Sequence, residues 1–223
     1  MPKILKTIAI LYTLASPLSL FCQEEYDILY LHGDYEKIIE ITRGKHDTLS
    51  LYWNAIALEK TGNTHAAISL LEQADNSSRL TEQMLANYYF ITGRYPEAKP
   101  ILYKFMSDQD LFLKLVRVLE FESDYHEAVR LLEERTKTDS SNTIFLAKLA
   151  DNYMEIDRFL SAKNTLEKII ELNPGDITSL AKLANLNLKM KKLQRTIELC
   201  EQGLEQDSTN RTLIRIKGLA SFR

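Results

Sequence analysis

Residues 143–176 read TIFLAKLADNYMEIDRFLSAKNTLEKIIELNPGD. Leu146, Leu149, Ala150 and Tyr153 recur at helical spacing, a break follows at Asp157, and Ala162 and Leu166 resume the spacing beyond Phe159. Asn173-Pro174-Gly175-Asp176 then stops the chain, because proline cannot continue a helix and glycine suits the turn. The stretch therefore predicts a helix over 143–156, a tight turn, and a second helix over 159–172.

The same pattern recurs outward in three columns. Small residues within one helix fall at Ala55, Ala86, Val116, Ala150, Ala184 and Gly218, spaced 31, 30, 34, 34 and 34. Turn residues fall at Gly33, Gly62, Gly93, Ser123, Asp157 and Lys191, each followed by Tyr35, Thr64, Tyr95, Tyr125, Phe159 or Leu193. Further on come Ile38, Ala67, Ala98, Ala128, Ala162 and Thr196. Glycine at half of the turn positions calls for a left-handed or otherwise open backbone there. The two small columns let paired helices approach closely. One hairpin alone would leave an apolar face in water, which stacking the next hairpin covers.

Columns and breakers predict helices over 25–32, 35–43, 48–61, 64–74, 79–92, 95–106, 109–122, 125–137, 143–156, 159–172, 177–190, 193–206 and 210–222. With 45% hydrophobic residues, only 7 Gly and 5 Pro, and little period-two alternation, the 223-residue chain is expected to be all-α.

Residues 1–22 differ. Lys3 and Lys6 precede an apolar run from Ile8 to Phe21 that closes on Cys22, ahead of Gln23-Glu24-Glu25. This is the layout of a secretory signal, with cleavage expected between Cys22 and Gln23. Pro17 and the short run argue against a permanent span. A lipid-anchored Cys22 is the rival reading, which bulky Phe21 disfavours. After removal, 26 basic residues face 31 acidic ones, a poor balance for nucleic-acid binding. Cys200 would then be the sole cysteine, which excludes an intrachain disulfide and fits a bacterial periplasm or envelope.

The chain resembles the tetratricopeptide repeat (TPR) family. Thr143 to Asp176 carries the resemblance best, with Leu146, Leu149-Ala150, Tyr153, Ala162, Leu166 and Pro174 in the family's slots. Phe112, Leu115-Val116, Leu119, Ala128 and Leu132 make a second copy, and Leu180, Leu183-Ala184, Thr196 and Cys200 a third. The resemblance implies a right-handed α-solenoid of helix-turn-helix hairpins over 23–223. About six are expected, the first degenerate, with a half-repeat over 211–223. It also implies a concave groove lined by the first helix of each hairpin.

Catalytic and metal constellations are missing from the sequence. His32, His46, His65 and His126 stand at no metal-ligand spacing, and no phosphate loop or nucleophile elbow occurs, so neither enzymatic activity nor a cofactor is expected. Cys200 occupies a large apolar slot and reads as a buried thiol.

Candidate groove residues are Lys114, Lys148 and Lys182, each 34 apart, together with Asn185, Asn87 and whichever of Tyr88 and Phe90 faces the groove. The lysine row would suit an acidic peptide or carboxylate, but neutralisation by Asp151 and Glu155 on the same helices is the favoured reading. The carboxylate clamp of some co-chaperone family members does not carry over, since Ile144 replaces a required cation.

The expected function is an exported, non-catalytic scaffold that binds protein or peptide partners. Alternatives are the TPR region of a longer envelope protein with an enzymatic or signalling part, and a lipoprotein of an outer-membrane assembly machine. At the far end, Ile214, Gly218 and Phe222 mark one face of a helix and Leu213, Ile216, Leu219 and Ala220 another. One face has no evident partner, so the segment reads as the first half of a further repeat.

Overall fold

A computed structural model describes residues 17–74 and 78–222, with side chains from Glu24 onward. Most of the expected leader, residues 1–16, lies outside them, and the expected cleavage site at Cys22 and Gln23 falls within a continuous helix. Thirteen α-helices and no strand occur among the described residues. In chain order they are α1 Pro17–His32, α2 Tyr35–Thr42, α3 Thr48–Lys60, α4 Thr64–Glu72, α5 Arg79–Ile91, α6 Tyr95–Lys104 and α7 Gln109–Phe121. There follow α8 Tyr125–Thr138, α9 Thr143–Glu155, α10 Phe159–Leu172, α11 Ile177–Lys189, α12 Leu193–Leu204 and α13 Arg211–Ser221. Apart from α1, which begins at Pro17 instead of 25, the expected boundaries hold to within two residues.

The chain divides into two compact units, Met1–Val118 and Leu119–Arg223, and the division falls within α7. In the first unit α1 pairs with α2, α3 with α4 and α5 with α6, while α3 also rests on α1 and α5 on α3. In the second unit α9 pairs with α10 and α11 with α12, and α13 packs on both α12 and α11.

One turn joins the two helices of every hairpin. Gly33, Gly62, Gly93, Ser123, Asp157 and Lys191 all have positive φ, between 58° and 82°. In each case the next residue's N–H donates to a carbonyl five positions back, as in Asp34 to Leu29 (2.9 Å), Asp124 to Leu119 (2.8 Å) and Lys192 to Asn187 (2.9 Å). This bond satisfies a carbonyl that the helix end would leave orphaned. The second helix starts one residue later, at Tyr35, Thr64, Tyr95, Tyr125, Phe159 and Leu193.

First helices begin with a side-chain cap. Asp47 Oδ1 accepts from the Ser50 N–H at 3.0 Å, Asn142 Oδ1 from Ile144 at 3.1 Å, Asp176 Oδ1 from Thr178 at 3.1 Å and Asn210 Oδ1 from Leu213 at 3.2 Å. Ser78 and Thr81 form a reciprocal capping box.

The small columns are core. Ala55, Ala86, Val116, Ala150 and Ala184, and likewise Ile38, Ala67, Ala98, Ala128, Ala162 and Thr196, are fully buried. Gly218 breaks the series: a Cβ there would meet nothing within 4 Å. The close approach to α13 is made instead at Gly203, where an added Cβ would lie 2.5 Å from Leu213 Cδ1. Leu213, Ile216 and Ala220 of α13 are buried, whereas Leu219, expected beside them, is 43% exposed.

Candidate functional site

The candidate groove residues all lie on first helices, and within each unit their charges are largely answered. In the first unit, α5 and α7 bring together Asn87, Phe90 and Lys114. Lys114 Nζ donates to Asn87 Oδ1 and lies 2.8 Å from Asp110 Oδ2. Phe90 is half-buried, with the Arg117 guanidinium 5.6 Å and Lys114 Nζ 6.0 Å from its ring centre, and Tyr95 packs on it at 5.8 Å. Tyr88 is core, not groove: it is buried and its hydroxyl donates to the Ala55 carbonyl at 3.1 Å. Residues two apart on a helix point about 200° from each other, so one of the pair had to turn inward. The tyrosine does so because its polar tip finds an acceptor there. Burial, with smaller contributions from Glu59 and Tyr52, raises its pKa.

In the second unit, the lysine row is paired rather than open. Lys148 Nζ sits 2.9 Å from Glu120 Oε2, and Lys182 Nζ 2.5 Å from Asp151 Oδ1 and 2.8 Å from Oδ2. Each lysine thus reaches back to an acid on the preceding first helix. Asn152, buried between Lys148 and Glu120, donates from Nδ2 to Glu120 Oε1 (2.7 Å) and to the Lys148 carbonyl (2.8 Å). A shallow cleft of about 350 Å³ lies over this cluster, with Asp151 and Glu155 in its wall. The row is therefore not a free cationic strip: Asp151 answers Lys182, and Glu120 rather than Glu155 answers Lys148.

The pairing stops at the next step. A second cleft, of about 330 Å³, opens between α11 and α13 over an apolar floor of Ile177, Ala181 and Ile216. Asn185 and Arg215 line it. Asn185 lies 34 residues after Asp151 and substitutes a neutral amide for that carboxylate. Arg215 is exposed and has no acidic partner among the described residues. Sequence reading named Asn185 but missed Arg215, because Arg215 stands one position out of the lysine column.

A second repeated polar feature also escaped the sequence reading. Tyr89 donates to Glu72 Oε1 at 2.7 Å, and Tyr153 to Glu133 Oε1 at 2.8 Å. Arg94 and Arg158, each five residues after its tyrosine, approach the same glutamates at 3.0 and 3.6 Å. Burial first, then the bond to glutamate, pushes both phenols up to about 12. The tyrosine is thereby kept a hydrogen-bond donor that ties one hairpin to the next. The shared signal is Tyr-x4-Arg, visible only once two copies are aligned.

No group of three or more His, Cys, Asp and Glu is disposed to hold a metal among the described residues. Nor is any described helix long and apolar enough to cross a membrane. Cys200 is buried, and burial pushes its thiol up to about 11.

Residues 145–176 match the family model for the tetratricopeptide repeat. That is, within two residues, the stretch whose pattern predicts the hairpin. No curated protein matches the chain. Among solved structures it is similar to YrrB, described as a TPR protein with an unusual peptide-binding site, at 18% identity over 82% of this chain and 97% of YrrB, with a TM-score of 0.65. It is similar to MamA from Desulfovibrio magneticus RS-1 at 15% identity, covering 72% of this chain and 96% of that one, with a TM-score of 0.60. A chain of the APC/C hetero-tetramer Cut9–Hcn1 is 18% identical over 83% of this chain and 40% of its own, with a TM-score of 0.54. At such identities the likeness is one of fold, and the fold is an all-α solenoid of TPR-type hairpins.

Proposed function

We propose that the protein is a non-catalytic TPR scaffold that holds a peptide segment of a partner against its first helices, with an acidic group of that segment in the α11–α13 cleft. The observation that carries this reading is Arg215, a cation without a carboxylate, in a cleft where Asn185 occupies the position that Asp151 takes one repeat earlier. A partner carboxylate there would meet a charged donor and an amide, while its neighbouring side chains cover Ile177 and Ile216. Support also comes from YrrB, a chain of the same fold whose description includes a peptide-binding site. The N-terminal pattern of Lys3, Lys6, the apolar run and Cys22-Gln23 supports export to a periplasm or envelope.

Peptides selected by display on the full chain test the binding. They should carry Asp, Glu or a free C-terminus, and Asn185→Asp, which supplies Arg215 with an internal carboxylate, should weaken them about tenfold. Acid-free peptides, or binding indifferent to Asn185→Asp, would count against the cleft. Mass spectrometry of the exported chain should find Gln23 or pyroglutamate at its N-terminus; an acylated Cys22 would replace export with lipid anchoring.

A further inference from the structure

We propose that α1 and α13 are complementary docking faces through which copies of this chain associate head to tail. On α1, Tyr26 and Leu29 are buried, leaving Glu24, Ile28 and Leu31 on the opposite side. Their i, i+4, i+7 spacing makes them one stripe, and Ile28 and Leu31 are 53% and 77% exposed. On α13 the buried residues are Leu213, Ile216 and Ala220, and the outward stripe is Arg211, Ile214, Gly218 and Phe222. Ile214 is 49% and Phe222 93% exposed, with open space above Gly218.

The occupant follows from charge. From Glu24 to His32, α1 has three acids and no lysine or arginine, whereas α13 has Arg211, Arg215 and Lys217 and no acid. Pairing α13 with α13, or α1 with α1, sets like charges together; pairing α1 with α13 of another copy sets acids against bases. Asp27 is turned inward, with one carboxyl oxygen buried and Tyr52 of α3 nearby, so Glu24 is the acid that the outer stripe presents. Arg211 has no acidic partner among the described residues, while Lys217 is already engaged by Glu201 at 2.7 Å.

The register fits as well. Laid alongside α13 in the same direction, α1 places Glu24 beside Arg211 and Leu31 over the gap at Gly218. First helices already contact one another this way within the chain, α11 with α13 and α1 with α3. A copy docked so would continue the stack. The contact is heterologous, so it builds rings or open chains rather than closed pairs.

Sedimentation velocity on the full chain tests this with two charge-reversed variants. One carries Arg211→Glu and Ile214→Glu, the other Glu24→Lys and Ile28→Lys. All four sites are exposed, so far-UV circular dichroism and Tm should match the wild type. The wild type should associate with rising concentration, and added salt should weaken it. Each variant alone should associate about tenfold more weakly or worse, and an equimolar mixture should recover the wild-type behaviour. A wild type that stays monomeric throughout overturns the proposal. So does an α1 variant that still associates, which would mean that α13 pairs with itself. Arg215 and Asn185 are untouched, so the peptide-binding reading stands or falls separately.

Discussion

Lys191 offers the sharpest test of the turn on which every hairpin depends. It sits at φ 58° with its side chain exposed, and among the described residues that side chain makes no hydrogen bond or ion pair. A residue with a Cβ pays about 1–2 kcal/mol to hold this left-handed conformation. Glycine avoids that cost but loses about 0.5–1 kcal/mol more chain entropy on folding. Lys191→Gly should therefore stabilise by about 0.5–1 kcal/mol, or roughly 1–4 °C in Tm for a chain of this size. Lys191→Ala retains the Cβ and should gain nothing. Gly62 supplies the mirror image: its φ is 82° and an added Cβ would meet nothing within 4 Å. Gly62→Ala can thus lose stability only through the backbone, by about 0.5–1 kcal/mol once the chain entropy that alanine spares is set against the strain. Gly218, helical and equally open, serves as a control of opposite sign, with Gly218→Ala gaining about 1 kcal/mol of helix propensity. Thermal and urea unfolding of the four variants measures all of these. Equal gains from Lys191→Gly and Lys191→Ala would refute the argument, since the lysine side chain and not the backbone would then be the source of strain.

Two further outcomes follow from single side chains. Asp47 caps α3; burial raises its pKa, but bonds from Ser50 and the neighbouring backbone outweigh that and leave it below 3.8. Its contribution is thus full above that pH and fades as pH falls through the lowered folded value. Asp47→Ala should cost about 1 kcal/mol at neutral pH and progressively less in acid, and a pH-independent loss in urea titrations would contradict the capping role. Cys200, with its thiol pushed up to about 11, should resist iodoacetamide at pH 8 until urea unfolds the chain; peptide mapping that finds it alkylated in native protein at the rate of a free thiol would show an open site.

The backbone of this fold was legible because it repeats. Gly33, Gly62 and Gly93 identified the turn, and spacing alone extended it to Ser123, Asp157 and Lys191, all of which are left-handed although none is glycine. The site was legible only as a set of positions. Lys114, Lys148 and Lys182 stand in one column, and a column compares each residue with its equivalents 34 positions away. The structure pairs residues at other offsets: Lys148 with Glu120, 28 back, and Lys182 with Asp151, 31 back. Those offsets depend on how one helix is set against the next and on the reach of a lysine side chain. Neither is encoded in the repeat period, so the column allowed for a neutralised row but did not point to Glu120 as the acid that answers Lys148.

The same reasoning explains where binding capacity can lie in such an array. Hydrophobic columns must be filled in every repeat, because an empty slot leaves a cavity, and so they cannot distinguish one repeat from another. Charged positions on the first helices are under no such demand. Where donor and acceptor recur together, as at Glu120 with Lys148 and at Asp151 with Lys182, an incoming carboxylate must displace an internal one and gains little. Where one member changes, the remaining charge is available. Asn185 is such a change, a loss of one negative charge with nearly the same shape as aspartate. It leaves Arg215 facing a cleft whose apolar floor is already in place. On the proposed function, specificity in this chain is thus placed by a break in the polar pattern on an unbroken backbone pattern.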